Sequence, residues 1–273
     1  MIRRVLIGIA LIVFFLSVVL PLLWMALTSF KSSSEIFAAP WALPKVMHLD
    51  NYTRAWREAG IAQCFANSLE ITIATLALLL PIGAMAAYVL ARYPFRGSKF
   101  IFGSFLAGLM IPQFLAIVPL FLLMVSLKLF DTKIGLTIVY IAYSLPFTVF
   151  VLTGFFQALP KELHEAAMMD GCGHAGVFWR IMLPLAKPGL IVVGIFNAIG
   201  LWNEYSLALV LVSSDEKRTL PLGIANLVMT QQYQSDWGAL FAGLVIVMGP
   251  VLVMYWIFRD RIHEAMLAGA LKG

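Results

Sequence analysis

Six long apolar stretches, separated by polar loops, constrain the fold of this chain more than any other feature. A helix needs about 20 predominantly apolar residues to cross a bilayer, and each stretch is at least that long. Hydrophobic residues make up 62% of the 273 residues and charged residues 12%, against about 45–50% and about 25% in soluble domains. The sequence therefore predicts an all-α polytopic membrane protein with a single domain, residues 1–273. The predicted transmembrane helices are 5–27, 69–91, 100–127, 134–156, 189–212 and 238–258.

The charge of the loops predicts the orientation of these helices. Six spans place both termini on one side of the membrane, together with the turn at 92–99 and a polar segment at 160–188. That side carries eleven Lys and Arg residues against five acidic ones, whereas the other loops carry eight against seven. Because Lys and Arg favour the cytoplasmic side, both termini and the polar segment are predicted to be cytoplasmic. Basic residues spread over several membrane-adjacent loops argue against a nucleic-acid surface.

The polar segment 160–188 begins with the pattern of a short amphipathic helix. Pro160 precedes the helix, and Glu162 and Glu165 place negative charge in its first turn, where the helix dipole is positive. Gly171 and Gly173 are typical of a helix end. One side of this helix is formed by residues at spacings of three and four, namely Leu163, Ala166, Ala167 and Asp170. The two alanines leave that side low, so another surface can approach it closely.

A second short helix is predicted at 175–182, before Pro184 and Pro188 break the chain. The segment therefore has the order helix, glycine elbow, helix. Two interpretations fit a polar segment of this kind between membrane helices. It contacts a partner protein, or it lies as an amphipathic loop on the lipid headgroups.

The spacing within this segment resembles a known loop. Glu165-Ala166-Ala167 is followed after three residues by Gly171, and after nine more by Ile181-Met182-Leu183-Pro184. This pattern resembles the EAA loop of permease subunits in bacterial ATP-binding-cassette importers. In that family the EAA helix is a coupling helix that sits in a groove of an ATP-binding subunit.

Further landmarks resemble the MalG type of permease subunit in carbohydrate importers and extend the resemblance over essentially the whole chain. They are Ser29-Phe30-Lys31, Asn51-Tyr52, Asn67-Ser68-Leu69, Ala87-Tyr88, Ala91-Arg92, Ile111-Pro112, Trp202-Asn203-Glu204, Thr219-Leu220-Pro221 and residues 269–273. Two positions depart from the family pattern. Cys172 stands where the family usually has alanine, and Ala265 stands where it usually has glycine.

The resemblance implies a permease of type I importer architecture in the bacterial cytoplasmic membrane, acting on a sugar or sugar derivative. It implies four kinds of partner: a second permease subunit of the MalF type, two ATP-binding subunits that hold ATP and Mg, an extracytoplasmic solute-binding protein, and membrane lipid. The outer loop 213–237 is implied to contact the solute-binding protein. The residues implied to contact an ATP-binding subunit are Glu165, Ala166, Ala167, Asp170, Gly171, Ile181, Leu183 and Pro184 in the loop, and Gly269, Lys272 and Gly273 in the tail 259–273.

The sequence lacks the elements of a catalytic protein. It contains no Gly-Lys-Ser/Thr element to hold ATP phosphates, so the energy for transport is expected to come from another subunit. Two His-Glu pairs begin like a zinc-protease motif, but Met168 and Leu267 stand where a second histidine is needed. The four histidines sit singly on loops. We therefore expect no enzyme activity, cofactor or metal site in this chain, and no disulfide between Cys64 and Cys172, which are predicted on opposite sides of the membrane.

A carboxylate inside the fifth apolar stretch marks a candidate pathway. Glu204 is predicted near the middle of helix 189–212, where a charge costs about 3 kcal/mol unless it faces water or a partner. Trp202, Asn203 and Glu204 then either line a translocation pathway or act as interhelical hydrogen-bond partners. Pro112 and Pro119 are expected to bend helix 100–127.

The leading hypothesis is an ATP-driven, binding-protein-dependent importer subunit for a sugar. The alternatives are a self-contained secondary transporter or channel, which needs a paired ion site in its helices, and an importer subunit for a solute other than a sugar. A membrane enzyme would need a cluster of His, Asp or Glu at one membrane face, and the sequence offers none.

Overall fold

The computed structural model describes residues 2–234 and 236–270, and every regular element within these ranges is helical. The prediction of an all-α membrane protein is confirmed. In chain order the helices are α1 (Ile2–Thr28), α2 (Ser33–Ala38), α3 (Asp50–Thr53), α4 (Ile61–Arg92), α5 (Ser98–Met110), α6 (Gln113–Ser126), α7 (Lys133–Ala158), α8 (Lys161–Met169), α9 (His174–Val177), α10 (Leu183–Leu185), α11 (Lys187–Trp202), α12 (Ser206–Leu211), α13 (Leu220–Gln234) and α14 (Trp237–Ala270). Wider π-helical turns follow α3 and α9, and a short 3-10 turn precedes α13.

The helices divide into straight spans and broken ones. Among the described residues, α1, α4, α7 and α14 are long and apolar enough to cross a membrane by themselves. Two further pairs meet the same test only together: α5 with α6, which are bent by 103°, and the segment His174–Leu185 with α11, which are bent by 72°. By length and composition the described chain therefore has four spans, or six if each bent pair counts as one.

Two of the predicted spans are not single helices. Helix 100–127 divides at Ile111, which is extended (φ −75°, ψ 117°) because the ring of Pro112 disfavours helical angles in the residue before it. Pro119 lies inside α6 and does not end it. Helix 189–212 divides between Trp202 and Ser206. The sequence predicted a bend in the first case and missed the second.

The segments after these spans are more helical than predicted. The outer loop 213–237 contains the 15-residue helix α13. The tail predicted to follow the last span continues α14 as far as Ala270. The loop before α4 contains the short helix α3 and the π-helical turn Arg54–Glu58.

The described chain forms two compact units, described here separately, and the single-domain organisation remains a prediction. One unit comprises the residues up to Phe65 together with Thr219–Leu252. In it, the guanidinium of Arg54 donates hydrogen bonds to Asp236 Oδ2 (2.7 Å) and to Asn51. Asp236 also accepts from the backbone N–H of Ala239 at 3.2 Å. These contacts tie the loop before α4 to the start of α14.

The other unit comprises Ala66–Arg218 and the residues after Leu252. Near its outer end, Asp131 accepts hydrogen bonds from the backbone N–H groups of Ser213 and Ser214, both at 3.0 Å, and from Lys217 Nζ at 3.0 Å. Burial raises the pKa of the Asp131 carboxyl, but these hydrogen bonds outweigh burial and hold the pKa well below its ordinary value. The short turn after α6 is thereby fixed to the segment after α12.

Candidate functional site

The polar segment has the predicted order of helix, elbow and helix. The first helix, α8, ends at Asp170, and Gly171 turns the chain with a positive φ of +82°. The backbone N–H groups of Gly171 and Cys172 donate to the carbonyls of Met168 and Ala167, both at 3.1 Å. The second helical run, from His174 to Leu185, includes α9, the π-helical turn Phe178–Met182 and α10.

The second helix, predicted to end at 182 before Pro184, continues to Leu185. Pro184 is the second residue of α10, directly after the π-helical turn Phe178–Met182, and the helical run continues through it. Its C-cap is Ala186 (φ −82°, ψ 1°), and Pro188 stands in the first turn of α11. The 72° bend between the two helices therefore lies one residue before the proline-containing start of α11.

Burial divides the residues of this loop into an inner and an outer set. Ala167 is only 5% exposed and belongs to a core with side chains of α4, α7 and α11. Of the other loop residues implied to contact an ATP-binding subunit, Glu165, Ala166, Asp170, Gly171 and Pro184 are exposed, and Ile181 and Leu183 are half-buried. The close approach that the sequence assigned to both alanines is therefore made at Ala167 by the chain itself.

This division predicts opposite results for two neighbouring substitutions. Ala167→Phe should destabilise the purified full-length chain by about 1–3 kcal/mol, because a packed core has no room for a larger side chain. Ala166→Phe, the matched control on the exposed side, should leave the unfolding temperature in detergent unchanged. Equal shifts in the two variants would contradict the assigned burial.

Hydrogen bonds from the end of α4 hold both helices of the loop. The hydroxyl of Tyr88 lies 3.0 Å from His164 Nδ1, and the hydroxyl of Tyr93 lies 2.9 Å from His174 Nδ1. The two hydroxyls are 3.4 Å apart. Burial, and then the charge of Arg92, lower the pKa of His164, so its imidazole is neutral at neutral pH. Sequence spacing does not predict this chain of contacts, because each histidine pairs with a tyrosine that is distant along the chain.

The second candidate site surrounds the break between α11 and α12. The sequence predicted Glu204 near the middle of a helix, but the residue lies in this break. Its Oε1 accepts from the backbone N–H of Leu207 (2.7 Å) and from Gln113 Nε2 (3.2 Å). Its Oε2 accepts from the hydroxyl of Tyr140 (2.7 Å) and from the backbone N–H of Ala208 (3.1 Å). The carboxylate thus caps α12 and joins it to α6 and α7.

A cavity of about 570 Å³ adjoins this break. Its polar lining comes from Gln113, Ser144, Asn197, Asn203, Glu204 and Ser206, and its aromatic lining from Tyr143, Phe147, Phe196 and Tyr205. Of the three predicted pathway residues, Asn203 and Glu204 line the cavity. Trp202 does not line the cavity, and its side chain is buried at 3% exposure.

The remaining predicted site residues lie in the tail. Gly269 falls in the last turn of α14, whereas Lys272 and Gly273 lie outside the described residues. Within the described ranges, no three His, Cys, Asp or Glu side chains converge as a metal site. Cys64 is buried and Cys172 is half-buried, and the described chain contains no disulfide between them.

Comparisons with known proteins agree on one kind of protein. Residues 79–260 match the family model described as "Binding-protein-dependent transport system inner membrane component". The diacetylchitobiose uptake system permease protein NgcG of Streptomyces coelicolor is 43% identical over 255 residues, which is 93% of this chain and 84% of the relative. The trehalose transport system permease protein SugB of Mycobacterium tuberculosis is 34% identical over 254 residues, or 93% of this chain and 92% of the relative.

A solved structure has the same fold. It is a chain of a bacterial ABC transporter involved in the import of the acidic polysaccharide alginate, and it superposes with a TM-score of 0.84 at 23% identity. The match covers 95% of this chain and 96% of that chain.

Proposed function

This chain belongs to the family of binding-protein-dependent transport system inner membrane components, and we propose that it is the permease subunit of an ATP-driven importer for a sugar or sugar derivative. The proposed location of the subunit is the bacterial cytoplasmic membrane. The names of the relatives, which include permeases for diacetylchitobiose and trehalose, support the solute class. The subunit carries out no bond chemistry.

One observation carries the coupling part of this proposal: the elbowed loop presents its outer side while its inner side is fixed. Glu165, Ala166 and Asp170 are exposed on α8, whereas Ala167 is packed into the core. A partner that pushes on α8 would therefore move the core of the membrane unit with it. The partners proposed here are two ATP-binding subunits that hold ATP and Mg, a second permease subunit and a solute-binding protein.

The cavity beside α12 supports a neutral, hydroxyl-rich solute. Amide and hydroxyl groups from Gln113, Asn203 and Ser206 can exchange hydrogen bonds with sugar hydroxyls, and the rings of Phe147 and Phe196 offer apolar faces. Glu204 already accepts four hydrogen bonds from neutral donors of the chain itself. It therefore serves as a fixed part of the wall and not as the ion site that a secondary transporter needs.

Site-directed crosslinking tests the proposed coupling contact. In a chain with both cysteines replaced by serine, Ala166→Cys should crosslink to an ATP-binding subunit in membranes that contain the whole transport system. The control is Trp41→Cys, which is 83% exposed in the loop after α2 and predicted to face outward. It should capture no ATP-binding subunit. Failure of the first variant, or capture by the second, would contradict the proposal.

The solute class has its own test. Proteoliposomes that contain the complete system and its binding protein should take up a labelled disaccharide only when ATP is enclosed with them. Uptake driven by an ion gradient without ATP would favour a secondary transporter. ATP-dependent uptake of a solute other than a sugar would support the importer assignment and contradict the proposed solute class.

A further inference from the structure

A second cavity of about 570 Å³ lies where α4 ends, and it is separate from the one beside α12. The start of α5, the end of α7 and the first turns of α8 form its other walls. Its charged and titratable lining consists of Arg92, Tyr93, Lys99, Lys161, His164 and Glu165. Three permanent cations therefore face one carboxylate, and His164 is neutral at neutral pH.

The chain balances only part of the positive charge that lines this cavity, because one carboxylate faces three cations. Among the described residues, neither Lys99 nor Lys161 forms an ion pair. Arg92 Nη2 donates to the carbonyl of Leu159 at 2.6 Å, but Arg92 Nε is buried without a hydrogen-bond partner in the described chain. Burying a polar N–H without a partner costs free energy, and like charges gathered in one cavity repel. An anion placed among these three side chains would reduce the repulsion between them.

The walls of the cavity also distinguish a lipid from a small ion. Leu90 and Phe102 line it beside the basic groups. The cavity lies at the end of the candidate span α4, where the membrane meets water. On α5, the apolar ring of Phe100 is 79% exposed. A ligand that joins a phosphate to apolar chains matches this combination, whereas an inorganic anion would leave the apolar wall unused.

We propose that this cavity binds the phosphate group of an anionic phospholipid, with its acyl chains along α5. Arg92, Lys99 and Lys161 contact the phosphate oxygens, as basic pockets between membrane helices do for lipid headgroups. The site joins α4 to α8 through the lipid, next to the contacts from Tyr88 and Tyr93. This binding does not depend on which solute is transported.

Native mass spectrometry of the full-length chain in a neutral detergent tests the site. With phosphatidylglycerol and phosphatidylcholine supplied at equal amounts, the parent should retain phosphatidylglycerol in preference. The double variant Lys99→Gln/Lys161→Gln should lose about 25-fold in affinity, since each basic residue contributes roughly five-fold. If the double variant fails to fold, Lys99→Gln alone should lose about five-fold.

The matched control is Arg96→Gln. Arg96 is exposed in the same turn but does not line the cavity, and a neutral detergent has no charged surface for it to act through. It should therefore retain the affinity of the parent. Equal retention of the two lipids, or parent-like affinity in the lysine variants, would overturn the proposal. Displacement of the lipid by excess inorganic phosphate would show that the cavity binds a free anion and not a phospholipid. Occupation of the cavity by an acidic side chain of a copurifying subunit would also overturn the proposal.

Discussion

Gly171→Pro is expected to reduce ATP-driven uptake to less than about a tenth of the parent value while the chain still inserts into the membrane. Proline fixes φ near −65°, whereas Gly171 has a φ of +82°. The substitution also removes the N–H that donates to Met168, and it disfavours the helical angles of Asp170 (φ −73°, ψ 6°). An incompatible proline costs about 3 kcal/mol or more, which is more than a hundred-fold change in population, so the elbow must adopt another shape.

Gly173→Pro is the matched control for this prediction. Gly173 lies two residues further on, with φ at −68°, and a Cβ added there meets nothing within 4 Å. Uptake and ATP hydrolysis would be measured together in proteoliposomes that contain the complete system. We expect ATP hydrolysis without uptake in Gly171→Pro and parent-like coupling in Gly173→Pro. Normal uptake in the first variant would show that the elbow does not transmit motion.

The elbow was predictable because its causes are local. Pro160, Glu162 and Gly171 lie within one short segment. Proline restricts the backbone before the helix, the charge of Glu162 stabilises its first turn, and Gly171 adopts a positive φ at little cost. Glu165 was predicted in the same turn but lies beyond it. The break at Ile111 also has a local cause, since it follows from the proline beside it. The 103° angle of that break was not predictable, because it depends on packing between separate helices.

The inner position of Ala167 was not predictable from spacing. The pattern of α8 identifies an apolar side but does not say which surface covers it, and both a partner and the chain's own core fit two alanines. The hydrogen bonds to His164 and His174 come from tyrosines 76 and 81 residues away. Contacts at such separations depend on the assembled fold, so a residue-by-residue search for motifs does not find them.

Glu204 was placed in the wrong structural element for the same reason. An apolar run of 24 residues predicts a continuous helix, and its carboxylate was expected either to line a pathway or to form hydrogen bonds with another helix. The carboxylate instead accepts from the N–H groups of Leu207 and Ala208, which start a new helix after the break. Its other donors, Gln113 and Tyr140, are 91 and 64 residues away. The local feature compatible with a helix cap was that Glu204 precedes the apolar residues Leu207 and Ala208 by three and four positions.

Glu204→Ala is expected to destabilise the purified full-length chain by about 2–4 kcal/mol. The substitution leaves the hydroxyl of Tyr140, which is 1% exposed, without its acceptor at a cost of about 1–3 kcal/mol. It also removes the cap of α12, which contributes about 1 kcal/mol. The unfolding temperature in detergent would measure the loss. Glu204→Gln, which keeps the shape and one acceptor oxygen, should lose less.

Asn203→Ala separates this structural role from a role in the pathway alone. Asn203 is adjacent and lines the same cavity, but within the described chain its side-chain amide donates to the end of the preceding helix α11, at the carbonyl of Ile199 (2.8 Å). An exposed substitution of this kind should change stability by less than about 0.5 kcal/mol. Reduced uptake in both variants with a stability loss only in Glu204→Ala is therefore expected. If Glu204→Ala were as stable as the parent, its four hydrogen bonds would not hold α12 to α6 and α7, and the carboxylate would act on the solute alone.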